Sequence, residues 1–279
     1  FWQLLWDYLQ IVSSRNCDRV VTDADQFRAA RWFSGARLNF AENLLRNRSN
    51  KTALVARLED GSRQVMSYAQ LYEQVAQLAA ALRRAGVASG DRVAGFIPNV
   101  PEAVVAMLAC SSIGAIWSSC SPDFGINGVI DRFGQIEPKV LFACDGYYYN
   151  GKTFDLSQRL REICRQIPSI QQRIIVPIID TDKDIPDSQK YEDFLLTENT
   201  PPLEFEQLPF DHPLYIVYSS GTTGMPKCIV HGAGGTLLQQ LKEHRLHVDL
   251  RSDDVLFYFT TCGWMMWNWL VAVLAQKQR

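Results

Sequence analysis

The sequence predicts an α/β fold of parallel sheets with helices on both faces. Short apolar runs at 92–97, 115–118, 140–143, 174–179 and 214–218 have the length of strands. Amphipathic stretches with helical spacing lie between several of them, so strand and helix alternate as in βαβ units. The run 214–218 then opens into a loop rich in glycine and hydroxyls, and sheets of this kind bind ligands beyond the carboxyl ends of their strands.

Taken in order, residues 1–13 place Trp2, Leu5, Trp6, Leu9 and Val12 on one helical face, which reads as packing on the chain's own domain. Residues 67–85 predict the cleanest helix. Ser67 and Gln70 have the spacing of a capping box, and Leu71, Val75, Leu78 and Leu82 form a buried stripe. Arg83 and Arg84 complement the negative end of its dipole, and Gly86 stops it. After the strand at 92–97, Asn99 and Glu102 stand in the same capping relation at the start of a second helix. Helical patterns follow at 126–136 and 154–166, and a further β-like run at 228–230. No internal repeat is present.

Composition narrows the function classes. Hydrophobic residues make up 47% and charged residues 21%, as in an ordinary globular protein, and a net charge of −2 gives no reason to expect nucleic acid or an anionic membrane as partner. Residues 180–211 hold ten Asp and Glu against Lys183 and Lys190, together with four prolines; this reads as a solvated, loop-rich crossing between lobes. The seven cysteines include no Cys-x-x-Cys pair and the four histidines are scattered, which argues against a zinc site or a disulfide framework and fits a reducing cytosol. No charged-then-apolar leader is visible, and the uncharged run 103–117 is too short to span a bilayer.

The most informative stretch is Ser219, Ser220, Gly221, Thr222, Thr223, Gly224, Met225, Pro226, Lys227. Its hydroxyls can donate, its glycines let the backbone approach a ligand closely, and Lys227 adds a mobile cation, a set of groups suited to a polyphosphate. A hydrogen bond to a charged group contributes about 1.5–3 kcal/mol, so several together could hold a triphosphate. A generic surface loop has similar composition, but it would not be expected between two β-like runs. The loop is not a Walker A sequence, since Met225 and Pro226 separate Gly224 from Lys227, and that spacing sets aside a P-loop kinase.

The run from Tyr218 to Lys227 resembles the signature loop of the adenylate-forming superfamily. Met66-Ser67-Tyr68-Ala69-Gln70-Leu71 resembles the first core motif of that superfamily, and the segment from Ile113-Gly114-Ala115 to Pro122-Asp123 its second. Thr260-Thr261-Cys262-Gly263-Trp264 resembles its aromatic substrate-pocket motif. Within the superfamily, residues 32–44, 121–125 and 263–268 are similar to the acetoacetyl-CoA synthetase family, and the likeness runs over nearly the whole chain.

The resemblance implies two steps. A carboxylate attacks the α-phosphate of ATP, supplied with Mg2+, to give an acyl-adenylate and diphosphate; the coenzyme A thiol then displaces AMP. Ser219, Ser220, Gly221, Thr222, Thr223, Gly224 and Lys227 would hold the phosphates, with Cys228 standing where many members have glycine. Gly263 and Trp264 would wall the acyl pocket, with His231 near the loop and Cys262 as a packed thiol. The expected substrates are acetoacetate, ATP and coenzyme A; acetate or butyrate is the alternative acid. The implied domains are a helical extension at 1–50, an α/β subdomain at 51–200, and the start of a nucleotide-binding α/β subdomain at 201–279. The family's adenine- and ribose-binding residues, hinge and catalytic lysine have no counterpart here. The sequence is therefore expected to be a truncated N-terminal large domain with no catalytic residue of its own, or else a non-catalytic product that binds nucleotide or a partner.

Overall fold

A computed structural model describes residues 1–181, 185–219 and 224–275. Seven strands form one sheet: β1 (Arg92–Phe96), β2 (Ile116–Cys120), β3 (Val140–Cys144), β4 (Gln172–Val176), β5 (Ser188–Lys190), β6 (Pro213–Ser219) and β7 (Lys227–Gly232). They lie in the order β5-β4-β3-β1-β2-β6-β7. All neighbours are parallel except β6 and β7, which form an antiparallel hairpin at the sheet's edge.

The strands divide their side chains between two cores. Val93, Trp117, Val140, Phe142, Ile174 and Tyr215 point to one face, where they meet α3 (Tyr68–Arg84) and α4 (Pro101–Ser112). Ala94, Phe96, Cys120, Leu141, Ala143 and Ile216 point to the other, against α5 (Ile126–Ile136) and α6 (Ser157–Gln166). All five residues of β2 and of β3 are buried, as expected for strands covered on both sides. Helix α4 is apolar around its whole circumference and is buried almost throughout. A Cβ at Gly95 would come within 2.6 Å of the Trp117 ring, so the absence of a side chain there lets the indole lie across β1.

Helix α3 starts as its sequence requires: the Gln70 amide donates to the Ser67 hydroxyl (3.2 Å), and the Ser67 amide to Gln70 Oε1 (2.8 Å). The second expected capping box does not form. Pro101, with its fixed φ and no N–H, occupies the first turn of α4, and Val100 becomes the N-cap. Asn99 Oδ1 instead accepts the Trp267 indole N–H at 2.9 Å. Two other boundaries move. The helix expected from 154 begins at Ser157, because Lys152–Asp155 pairs with Gly146–Tyr149. Strand β4 stops at Val176 before Pro177, and the Ile178 and Ile179 amides donate to Asp145 Oδ1 at 2.7 and 3.1 Å. Among the described residues, no helix is long and apolar enough to cross a membrane.

The N-terminal helices α1 (Trp2–Leu9) and α2 (Phe40–Leu44) are fastened to the sheet domain by aromatic stacking and by asparagine. Trp6 stacks on Phe33 at 4.9 Å, and Phe33 on Phe210 at 4.7 Å. Asn39, fully buried, caps α2 by accepting from the Glu42 amide, while its Nδ2 lies 2.8–3.0 Å from the carbonyls of Ser111, Ser112 and Glu206. Asn39→Ala removes the cap and strands those acceptors, so it should destabilise the chain by about 2–4 kcal/mol. Urea denaturation measures this directly; a loss well under 1 kcal/mol would contradict the role assigned to Asn39.

Candidate functional site

Strand β1 sends the chain into α4 on one face of the sheet, and its neighbour β2 sends it into α5 on the other. Where adjacent parallel strands part in this way, a crevice opens between their carboxyl ends. A distant segment fills it. The Ser119 hydroxyl donates to the Cys262 carbonyl at 2.6 Å, and the Cys262 thiol donates to the Pro98 carbonyl at 3.3 Å. Burial pushes that thiol well up from its ordinary pKa, so it is a packing group rather than a nucleophile. Gly263 lies against backbone: a Cβ there would stand 3.5 Å from Ser119 O, Cys120 Cα and Ser121 N.

Helix α9 (Met265–Val271) begins at this point. Trp267 turns inward, fully buried on its bond to Asn99, whereas Trp264 at the N-cap is 66% exposed at the sheet's edge. The aromatic run is therefore part core and part surface.

The hairpin lies beside this crevice. Ser219 ends β6 and pairs with Lys227 at the start of β7. Because Ile216 is level with Ser118 in the parallel register of β6 and β2, Ser219 stands level with Ser121. Gly224 has φ +114°, a conformation that favours glycine. Ser220, Gly221, Thr222 and Thr223 lie outside the described residues.

Helix α5 steadies the far arm of the hairpin. Gln135 Nε2 donates to the Pro226 carbonyl at 2.8 Å, and the Cys228 thiol lies 3.7 Å from Gln135 Oε1. The Arg132 guanidinium sits over the Phe124 ring at 4.7 Å and the Tyr218 ring at 5.7 Å. It is close enough to Cys120 to oppose, in part, the burial that pushes that thiol up to about 12. The Arg159 guanidinium of α6 donates to the carbonyls of Pro122 and Phe124 at 2.8 and 3.0 Å, holding the turn after β2.

Ser219, Lys227, Gly263 and Trp264 thus share the carboxyl edge of the sheet. His231 does not join them. It lies four residues beyond Lys227, roughly 13 Å along the strand, with its ring 5.1 Å from that of Tyr215. It faces a groove of about 390 Å3 shared with Trp32, Phe210 and Val230, and partial burial lowers its pKa. Arg132 and Gln135 were not singled out by the sequence, although Gly128, Arg132 and Gln135 recur at helical spacing on one side of α5. Ser119 and Cys262 lie within the motif segments already named, but their pairing across 143 residues carries no local signal.

Residues 40–276 match the family described as AMP-binding enzyme. The chain belongs to the AMP-binding enzyme family. Its similarity to acetoacetyl-CoA synthetases, read from residues 32–44, 121–125 and 263–268, extends over nearly the whole chain. The acetoacetyl-CoA synthetase of Gallus gallus is 49% identical over 99% of this chain and 43% of its own length. A malonamoyl-CoA synthetase of Penicillium aethiopicum is 43% identical over 99% of this chain and 40% of its own. The structure of an acetoacetyl-CoA synthetase from Streptomyces lividans superposes with a TM-score of 0.94 at 43% identity, covering 99% of this chain and 43% of that one. The chain therefore spans less than half the length of these family members.

Behind α9, His244 is fully buried with its ring 4.6 Å from that of Trp269, and burial lowers its pKa to about 4. The folded state thus resists protonation that the unfolded state accepts near pH 6.5, and stability falls as pH drops from 6.5 toward 4. This residue should cost about 2–3 kcal/mol between pH 7 and pH 4.5. His244→Phe should remove that part of the slope in urea denaturation at the two pH values; identical slopes in both proteins would refute it.

Proposed function

We propose that this chain is the phosphate-gripping part of an ATP-dependent acetoacetate–CoA ligase, which converts acetoacetate, Mg-ATP and coenzyme A to acetoacetyl-CoA, AMP and diphosphate. The observation that carries the reading is the convergence of the Ser219–Lys227 hairpin and the Gly263–Trp264 pair on one edge of the sheet. Both the carboxylate and the triphosphate are anions, so the barrier to adenylation is largely charge repulsion. Oriented donors and cations lower it, and no covalent nucleophile is needed. In this scheme Ser219, Ser220, Gly221, Thr222, Thr223, Gly224 and Lys227 cradle the phosphates. Gly263 lets its segment lie against the backbone of β2, and the exposed Trp264 ring that follows limits the length of the acid.

The choice of acid is supported by the relatives. Malonamate and acetoacetate are near-isosteres: each has a carboxylate, a methylene and a second carbonyl. A pocket suited to both would recognise the β-carbonyl, for which a buried hydrogen-bond partner discriminates far better than shape alone. We place the enzyme in the cytosol, a reading supported by the seven free thiols. We also propose that the 279 residues alone are catalytically incomplete, supported by the 43% coverage of the relatives; acetoacetate-dependent pyrophosphate exchange by the isolated chain would refute this.

Three outcomes test the ligase reading. Lys227→Ala should weaken ATP binding by roughly tenfold or more, the loss of one charged hydrogen bond, in calorimetric titration. The same change at the matching position of the Streptomyces lividans synthetase should lower AMP release. In a full-length form of this protein, acetoacetate should support AMP release far better than butyrate, which lacks only the β-carbonyl. Equal rates would defeat the substrate assignment, and unchanged ATP affinity would defeat the loop's role.

A further inference from the structure

Buried polar atoms without partners are not spread evenly through this fold. Among the described residues, nine buried side-chain nitrogen and oxygen atoms make no hydrogen bond. Five of the nine sit on two segments: Gln240 Oε1 and both ring nitrogens of His244 on one, Thr261 Oγ1 and Asn268 Oδ1 on the other. The first segment is α8 (Ala233–Lys242) with the π turn that extends it, Glu243–His247. The second flanks Gly263 and Trp264. Both pack in the same core, and they touch where the His244 ring meets that of Trp269. Unpaired polar atoms in a packed interior are costly, and π turns recur at functional sites.

The sheet fixes how deep His244 lies. Helix α8 starts beside Pro213, at the amino edge, and runs back toward the carboxyl edge. Gln240 Nε2 donates to the Tyr215 hydroxyl at 3.0 Å, and Tyr215 is level with Trp117. His244 comes one helical turn later, roughly 6 Å nearer the carboxyl edge. Ser119 lies two residues beyond Trp117, a rise of roughly 6–7 Å. His244 therefore stands near the depth of the Ser119–Cys262 bond, just below the Gly263–Trp264 pair.

Its chemistry narrows what it can meet. The ring has no exposed surface, so its nitrogens are not left to solvent. Burial keeps it neutral near pH 7; the Trp269 backbone opposes that effect only in part, without completing a hydrogen bond. Gln240 Oε1 and Asn268 Oδ1 can only accept, whereas His244 and Thr261 can present a hydrogen to a carbonyl oxygen. A neutral donor suits an uncharged carbonyl better than a carboxylate or a phosphate. A carboxylate presented to the phosphate hairpin points the other end of the acid into the sheet's carboxyl edge, toward this depth.

We infer that His244 determines the choice of acid, its ring N–H donating to the β-carbonyl of acetoacetate. The assignment rests on the ligase reading and supplies the buried partner that reading calls for. Butyrate has the same length but nothing to accept the bond, so it would leave the imidazole unpaired.

The test uses a full-length form of this protein. His244→Phe removes the donor while keeping a ring against Trp269. The ratio of kcat/KM for acetoacetate to that for butyrate should fall roughly tenfold or more, as loss of a buried hydrogen bond to substrate implies. His244→Gln, which keeps an N–H, should recover part of that ratio. Nitrogen-15 shifts of the His244 ring in the unsubstituted enzyme should move with acetoacetate and not with butyrate, a readout that stands even if both variants fail to fold. An unchanged ratio in folded His244→Phe would overturn the assignment, as would ring nitrogens that respond alike to the two acids. Either result leaves the ligase reading intact as long as the unsubstituted enzyme releases AMP with acetoacetate. An unsubstituted enzyme that releases none defeats both.

Discussion

The hydrogen bond from the Ser119 hydroxyl to the Cys262 carbonyl is the constraint on which the candidate site depends. It ties a segment 143 residues further along the chain to the carboxyl end of β2, next to the hairpin of Ser219 and Lys227. Ser119 also accepts the Trp117 indole N–H at 3.1 Å, so one buried hydroxyl links the sheet core to the aromatic motif. In a buried setting each of these partners would be costly to leave unpaired. Gly263 follows from the same contact, since the chain runs there against the backbone of β2.

That constraint exists because the sheet is covered on both sides. Alternate residues of the central strands feed different cores, with α3 and α4 covering one face and α5 and α6 the other. The strands must part at their carboxyl ends, and the crevice is a consequence of topology before any ligand is considered. The antiparallel β7 then turns the chain back on the sheet, so that Lys227 returns to Ser219 instead of continuing into a helix. Helix α5 completes the arrangement through Gln135 and Arg132.

Much of this was legible in the sequence. Most strands and helices of the sheet followed from apolar period, although β5, the polar Ser188–Lys190, lay hidden in the stretch read as a loop-rich crossing; the Ser67–Gln70 box set the start of α3 to the residue. The failures were local and had physical causes. Asn99 and Glu102 have capping spacing, but Pro101 took the first turn and freed Asn99 to meet Trp267. Pro177 shortened β4, and the amides beyond it turned to Asp145. At the site, residues 219–227 announced themselves through composition. Trp264 and Trp267 could not be told apart by composition, because their difference lies in which face α9 turns to Asn99. Ser119, Arg159 and the Pro98 carbonyl act across distances that no local pattern encodes.

The most direct measurement is amide hydrogen exchange on the chain and on its Ser119→Ala variant. If the Ser119–Cys262 bond anchors the motif, the Trp264 and Trp267 amides, which bond to Thr261 and Trp264, should lose roughly tenfold or more of their protection. Amides of β1 and β3 should keep theirs. Unaltered protection at Trp264 and Trp267 would mean that the segment is held in some other way, and the account of the site would fail with it.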